Sequence, residues 1–209
     1  MAKILLVRHG ETEYNSLRRF MGHSDIELSK KGVRQVKLLG SYLAQEQIDF
    51  AFASDLHRTL SSARIILGNR NIEVKSCPEL REIRYGECEG LTFQEISRKF
   101  PETAFQCSNY SPDLSFPGGE EFNSFAARVA SFAARLKTIK KNDTVLVVSH
   151  MGPIGVLICK LLEITYDHWW QFRTDTASLS IVESNITGNV LARLNDASFL
   201  HSEALRDRK

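Results

Sequence analysis

The hydrophobic residues fall into short dense runs separated by longer, spaced patterns. Ile4–Val7 is an unbroken apolar run and predicts a strand over 3–7 buried on both faces. From Ser29 the spacing changes: in "SKKGVRQVKLLGSYLAQEQ", Val33, Val36, Leu39 and Leu43 recur at three- and four-residue intervals. That period predicts an amphipathic helix with Ser29 as its N-cap. "IDFAFASD" (48–55) then predicts a short strand, "LHRTLSSARIIL" (56–67) a helix, and "IEVKSC" (72–77) another strand. After a long irregular interval, "EEFNSFAARVASFAARLKTI", starting at Glu120, predicts a long amphipathic helix. "TVLVVSH" (144–150) predicts a buried strand, and "GPIGVLICKLLEI" a helix with Pro153 in its first turn. "ASLSIVES" and "NVLARLND" predict two strands joined by a turn at "NITG". The polar last nine residues predict a frayed end.

Alternating strands and helices imply a three-layer α/β sandwich, a mostly parallel central sheet with helices on both faces. Residues 78–119 break the rhythm. They hold Pro78, Pro101, Pro112 and Pro117, four of the five prolines, with one short helix predicted at "TFQEISRKF". We read the chain as a single domain over 1–209, with 78–119 a lid-like excursion over the site. Repeats and low-complexity linkers are lacking.

Composition changes this picture little. The 209 residues are 43% hydrophobic and 25% charged, with a net charge of +2. So weak a global field gives no reason to expect nucleic acid or membrane as a partner, and any anion site must come from a local cluster of cations. Cys77, Cys88, Cys107 and Cys159 are spaced too widely for a CxxC motif or a dense disulfide framework. The N-terminus, MAKILLVRHG, lacks the length and cleavage region of a signal peptide, and the apolar runs are too short to span a bilayer. Together these point to a cytoplasmic protein with reduced thiols; a monomer or homodimer is expected, and the sequence does not choose between them.

The chemistry sits where strands stop. In a parallel sheet, ligands bind beyond the C-terminal strand ends. The first strand ends in Arg8-His9-Gly10. The second leads through "SDLHRT" to Arg58, and the strand at 144–150 ends in His150 followed by Met151-Gly152. Two arginines and two histidines at one sheet edge make a compact positive pocket suited to phosphate, because guanidinium groups give planar, permanently charged donors. Helix N-termini after Gly10 and His150 would add backbone donors, and Gly10 would allow close backbone approach. A neutral imidazole can also act as a nucleophile toward phosphorus, with cations nearby keeping it neutral. A leaving alkoxide needs an acid, and "CPELREIRYGECEG" offers Glu79, Glu82, Glu87 and Glu89, among which spacing does not choose. A His/His/Glu zinc site is the metal alternative; two arginines would repel a dication.

These segments, "LLVRHGETEYN", "GHSDIELSKKG", "ASDLHRTLSSA", "LREIRYGECEG", "FPGGE" and "VVSHMGPI", resemble in order the histidine phosphatase, or phosphoglycerate-mutase-like, superfamily over residues 3 to about 196. The resemblance implies that His9 is phosphorylated and that Arg8, Arg58 and His150 hold the phosphoryl group. It makes Asn15 a side-chain donor and Glu82 the proton donor and later base. Gly10, Gly22 and Gly152 join the phosphate-binding positions, and neither metal nor cofactor is implied. The expected partners are a small phosphorylated metabolite and inorganic phosphate as product. Met21 departs from the pattern, standing where many members carry a polar residue. The short, cation-poor stretch between Glu82 and His150 favours a phosphatase over a phosphoglycerate mutase; a non-catalytic phosphate-binding module is the rival of another class. "WWQFRTDTASLSIVE" and "VLARLNDASFL" further resemble the alpha-ribazole phosphatases of cobalamin nucleotide-loop assembly.

Overall fold

A computed structural model describes residues 2–111, 113–136 and 140–201. Its centre is a six-stranded sheet in the order β3-β2-β4-β1-β5-β6. The strands are β1 (Ala2–Arg8), β2 (Phe50–Ala53), β3 (Val74–Ser76), β4 (Thr144–Ser149), β5 (Leu179–Asn185) and β6 (Gly188–Asp196). The first four are parallel to one another, and β5 runs antiparallel to both β1 and β6. The expected mostly parallel sheet is therefore present, closed by the expected hairpin, with Asn185 opposite Gly188 at its turn.

The two faces of the sheet read directly from the alternation of side chains. Ile4, Leu6, Val145 and Val147 point into one core, packed against α6 (Phe122–Leu136) and α7 (Met151–Leu161). Leu5, Val7, Leu146 and Val148 point into the other, against α2 (Lys30–Tyr42) and α3 (His57–Leu67). Helix α2 begins as expected, with the Ser29 hydroxyl accepting from the Gly32 amide. Helix α6 buries Phe122, Phe125, Val129, Phe132 and Leu136, a single helical stripe. The helix predicted from Glu120 to Ile139 extends over Phe122–Leu136; its remainder, 137–139, lies outside the described residues, as does the expected frayed tail beyond His201.

Residues 78–119 hold more structure than their prolines suggested. Besides the predicted helix, here α4 (Phe93–Lys99) with a Thr92/Glu95 capping box, they form α5 (Pro101–Ser108). The missed helix starts on Pro101, whose fixed φ and absent N–H suit a first helical turn. This segment is also anchored, since Leu80, Ile83, Cys88, Ile96, Ala104, Leu114 and Phe116 join the same core as α6 and α7. Among the described residues, no helix is long and apolar enough to cross a membrane.

Candidate active site

Register sets the site. Strands β1 and β4 pair in parallel with Arg8 opposite Ser149, so His9 and His150 leave the sheet side by side. Their rings stand edge to face with centroids 5.1 Å apart, close to the separation of neighbouring strands. Strand β2 flanks β4 on the other side, with Ala53 opposite Val148, and leads into α3, whose first turn carries Arg58. The structure thus brings His9, Arg58 and His150 together, all buried, with the Arg58 side chain fully enclosed.

The hydrogen bonds assign the ring protons. The Nδ1 of His9 lies 2.7 Å from the Gly10 carbonyl, an acceptor, so Nδ1 carries the proton and Nε2 keeps its lone pair. Arg58 Nε–H donates to the Nδ1 of His150 at 3.3 Å, so the neutral His150 ring carries its proton on Nε2. That Nε2, and the Nε of Arg8, are buried polar atoms without a protein partner. Such donors are costly to leave unpaired and mark a place for an acceptor. Arg8 is oriented by donating to the Thr174 carbonyl at 2.7 Å. Arg58 is held by the Ser24 and Gly22 carbonyls, each at 2.7 Å.

Burial pushes the His9 imidazole well below its ordinary range, and Arg58 and Arg8 push it further. His150 is lowered well below its range for the same reasons, burial first and then Arg58. Burial also lowers Arg58, to about 10, which leaves it charged at neutral pH. Two neutral imidazoles therefore sit between permanent cations.

Of the four candidate glutamates, Glu82 is the one in this cluster. Its carboxyl is buried, accepting from the Ile83 amide at 3.0 Å and the Gly152 amide at 3.1 Å. Burial raises its pKa above the usual carboxylate range; the two amides and the arginines oppose the shift without cancelling it. Its neighbours do not neutralise it: Arg81 pairs with Asp55 at 2.5 Å, and Arg84 donates to the Gly119 carbonyl. Arg128 fixes the loop instead, donating to the backbone carbonyls of Glu79, Arg81 and Glu82.

Other expected positions take different parts. Gly10, Gly22 and Gly152 do not present free amides: these donate to Ser62 Oγ, to Glu89 and to Glu82, respectively. The glycines are required by packing. A Cβ on Gly10 would sit 2.6 Å from the Gly32 carbonyl oxygen, and one on Gly152 2.3 Å from a Glu82 oxygen. The helix expected after Gly10 is a single turn, α1 (Glu13–Ser16), whereas the helix expected after His150 is the full-length α7. Asn15 caps that turn, its Oδ1 accepting from the Thr12 amide and hydroxyl at 3.0 Å, which leaves Nδ2 for the cavity it lines. Met21 is buried on the same wall, its sulfur 3.4 Å from the Thr12 hydroxyl oxygen.

That cavity has a volume of about 280 Å³ and is lined by Arg8, His9, Asn15 and Glu82. Its wall also includes Arg18, Arg19, Phe20, Tyr85 and Met151, which sequence reasoning missed. The "LRRF" cluster was the available signal for the first three. Glu89 was also missed in its true part: it clamps the 22–24 loop by accepting from the Gly22 and His23 amides and the Ser24 hydroxyl. Among the described residues, no group of three His, Cys, Asp or Glu side chains is arranged to hold a metal ion.

A family model described as "Histidine phosphatase superfamily (branch 1)" matches residues 4–197. Phosphoserine phosphatase 1 of Hydrogenobacter thermophilus is 35% identical over 195 residues, 93% of this chain and 92% of the relative. The adenosylcobalamin/alpha-ribazole phosphatase of Escherichia coli is 30% identical over 92% of this chain and 95% of its own length. A crystal structure of a putative alpha-ribazole-5'-P phosphatase from Escherichia coli superposes with a TM-score of 0.87 at 30% identity, covering 94% of this chain and 97% of that one.

Proposed function

The chain belongs to the histidine phosphatase superfamily (branch 1) and is a phosphoric monoester hydrolase; from that premise we propose that it releases phosphate from a small phosphorylated metabolite through a phosphohistidine on His9, without a metal ion. The observation that carries this reading is the pair of unpartnered buried donors, Arg8 Nε–H and His150 Nε2–H, beside an imidazole whose Nε2 lone pair is free. A tetrahedral oxyanion satisfies both donors and puts phosphorus within reach of that lone pair.

The steps follow from the proton assignments. His9 Nε2 attacks phosphorus, and the Nδ1–H bond to the Gly10 carbonyl holds the ring and stabilises the charge it gains. Arg8 and His150 donate to the equatorial oxygens, while Arg58 supplies charge and fixes the His150 tautomer. Glu82, protonated, gives its proton to the departing alkoxide. The resulting carboxylate then takes a proton from water as the water oxygen attacks phosphorus; the bond to Nε2 breaks and inorganic phosphate leaves.

The direct test is turnover with ³²P-labelled ester, quenched in alkaline detergent. Label should appear on the protein in an acid-labile, base-stable form that is absent from His9→Ala; label stable to acid would overturn the assignment. A panel containing alpha-ribazole 5'-phosphate, phosphoserine, 3-phosphoglycerate and fructose 1,6-bisphosphate separates hydrolysis from isomerisation. The first two are the candidates that the Escherichia coli and Hydrogenobacter thermophilus relatives support. Net phosphate release is expected, and isomer formation without it would select a mutase.

Gly152 tests the placement of Glu82. Gly152→Ala puts a methyl group where the Glu82 carboxyl lies. We expect a folded protein with kcat reduced roughly 10- to 100-fold through displacement of the acid; an unchanged kcat would show that the carboxyl position does not matter.

A further inference from the structure

A second cavity, about 160 Å³, adjoins the first and shares Phe20, Glu82, Tyr85 and Met151 with it. Its remaining wall is apolar and comes largely from residues 105–125. Phe20, Tyr85 and Phe116 pack edge to face, with ring centroids 5.0 Å apart for Phe20–Tyr85 and 4.8 Å for Tyr85–Phe116. Trp169, stacked on Phe122 at 5.6 Å, closes another side, and Cys107 and Leu114 complete the enclosure. Burial raises the Cys107 thiol to about 11 and the Tyr85 phenol well above its usual range, so both stay neutral. Among the described residues, Glu82 is the one carboxyl of this wall, which holds no Lys or Arg.

Glu82 stands at the opening between the cavities, on the proposed path of the leaving oxygen. Whatever that oxygen carries is therefore directed toward the aromatic cavity. An apolar hollow of about 150 Å³ is large enough to take benzene. A carboxylate entering this one would lose its water and meet no cation; Arg18 and Arg19 line the first cavity, and Arg19 is already engaged with the Gly90 carbonyl and Glu95.

Resting on the phosphatase reading, we propose that the Phe20–Tyr85–Phe116–Trp169 cavity is the alcohol subsite, and that the preferred substrates are phosphate monoesters with an uncharged aromatic or branched apolar group close to the ester oxygen. This sets benzyl-like esters ahead of phosphoserine, whose carboxylate lies two carbons from that oxygen.

Phosphonates test binding without any contribution from leaving-group reactivity. Methylphosphonate, benzylphosphonate and phosphonoacetate are measured as competitive inhibitors of 4-nitrophenyl phosphate hydrolysis. Burial of the phenyl ring should make the benzylphosphonate Ki about 30-fold lower than that of methylphosphonate. Phosphonoacetate should bind no better than methylphosphonate. Cys107→Phe, which fills the cavity, should bring the benzyl and methyl constants together. Equal constants in the native protein, or phosphonoacetate as the tightest of the three, would overturn the subsite while hydrolysis left the phosphatase reading standing. Absence of turnover would sink both. The native-protein series decides the matter even if Cys107→Phe does not fold.

Discussion

Replacing His9 by alanine should lower turnover by at least about 10⁴-fold while the fold remains intact. The size of the effect follows from what is lost. The proposed route divides hydrolysis into two displacements, each using the His9 nitrogen, and the cavity offers no second nucleophile in its place. The His150 ring is 5.1 Å away, but its Nδ1 lone pair is occupied by the Arg58 Nε–H and its Nε2 carries a proton. Folding should be little affected. The His9 side chain makes one hydrogen bond, to the carbonyl of the next residue, and sits at the wall of a cavity, not inside the hydrophobic core. The measurements are kcat for phosphate release and the thermal unfolding midpoint. A shallow loss, below about tenfold, would require a direct attack of water on the ester and would remove the phosphohistidine from the mechanism. His9→Ala should also still bind phosphate, because Arg8, Arg58 and His150 do not depend on the missing ring for their positions.

How much of this was legible in the chain can be judged residue by residue. The strand ends were legible because a parallel sheet fixes their direction: three apolar runs, each followed by Arg or His, converge once β2, β4 and β1 lie side by side. Register then did what no local pattern can, placing His9 against His150 through the Arg8–Ser149 pair. The glycines were read for the right freedom but the wrong neighbour. Gly10 is small because Gly32 of α2 packs against it, a contact 22 positions away that the spacing of "RHGE" does not encode. The choice of Glu82 among four glutamates was likewise tertiary. Glu79 pairs with Arg135, Glu89 clamps the 22–24 loop, and only Glu82 is drawn into the cavity by the Gly152 and Ile83 amides. The aromatic subsite was invisible for the same reason. Its walls come from Phe20, Tyr85, Phe116 and Trp169, which share no periodicity and meet only because the proline-rich segment folds back onto α6 and α7. Local chemistry at strand ends is thus written in the sequence, whereas partners assembled from distant loops are not.

The second large effect is expected at Glu82, and it should depend on the leaving group. For an alkyl ester, Glu82→Ala should lower kcat by about 10³-fold, because an alkoxide cannot depart unprotonated at neutral pH. For 4-nitrophenyl phosphate, whose phenolate leaves without a proton, the first displacement should be nearly spared. The remaining loss then reports only the water-activating role in the second step. The pH dependence carries the same information with a definite sign. Glu82 must be protonated to act as an acid, and burial holds its pKa above the usual carboxylate range. The alkyl-ester rate should therefore fall as pH rises through that raised value. His9 must be neutral, and its pKa lies well below the ordinary imidazole value, so its ionisation limits the rate only at lower pH. The profile should be a bell displaced to the acid side, with its alkaline limb missing in Glu82→Gln. An equal loss for alkyl and 4-nitrophenyl esters in Glu82→Ala, or an alkaline limb that survives in Glu82→Gln, would assign proton donation to another group. Tyr85, whose hydroxyl proton is held far too tightly to be lost at neutral pH, would be a poor replacement, and Glu79 and Glu89 are committed elsewhere. The leaving-group comparison therefore isolates the one carboxyl of the four candidates that is buried in the cavity wall with His9.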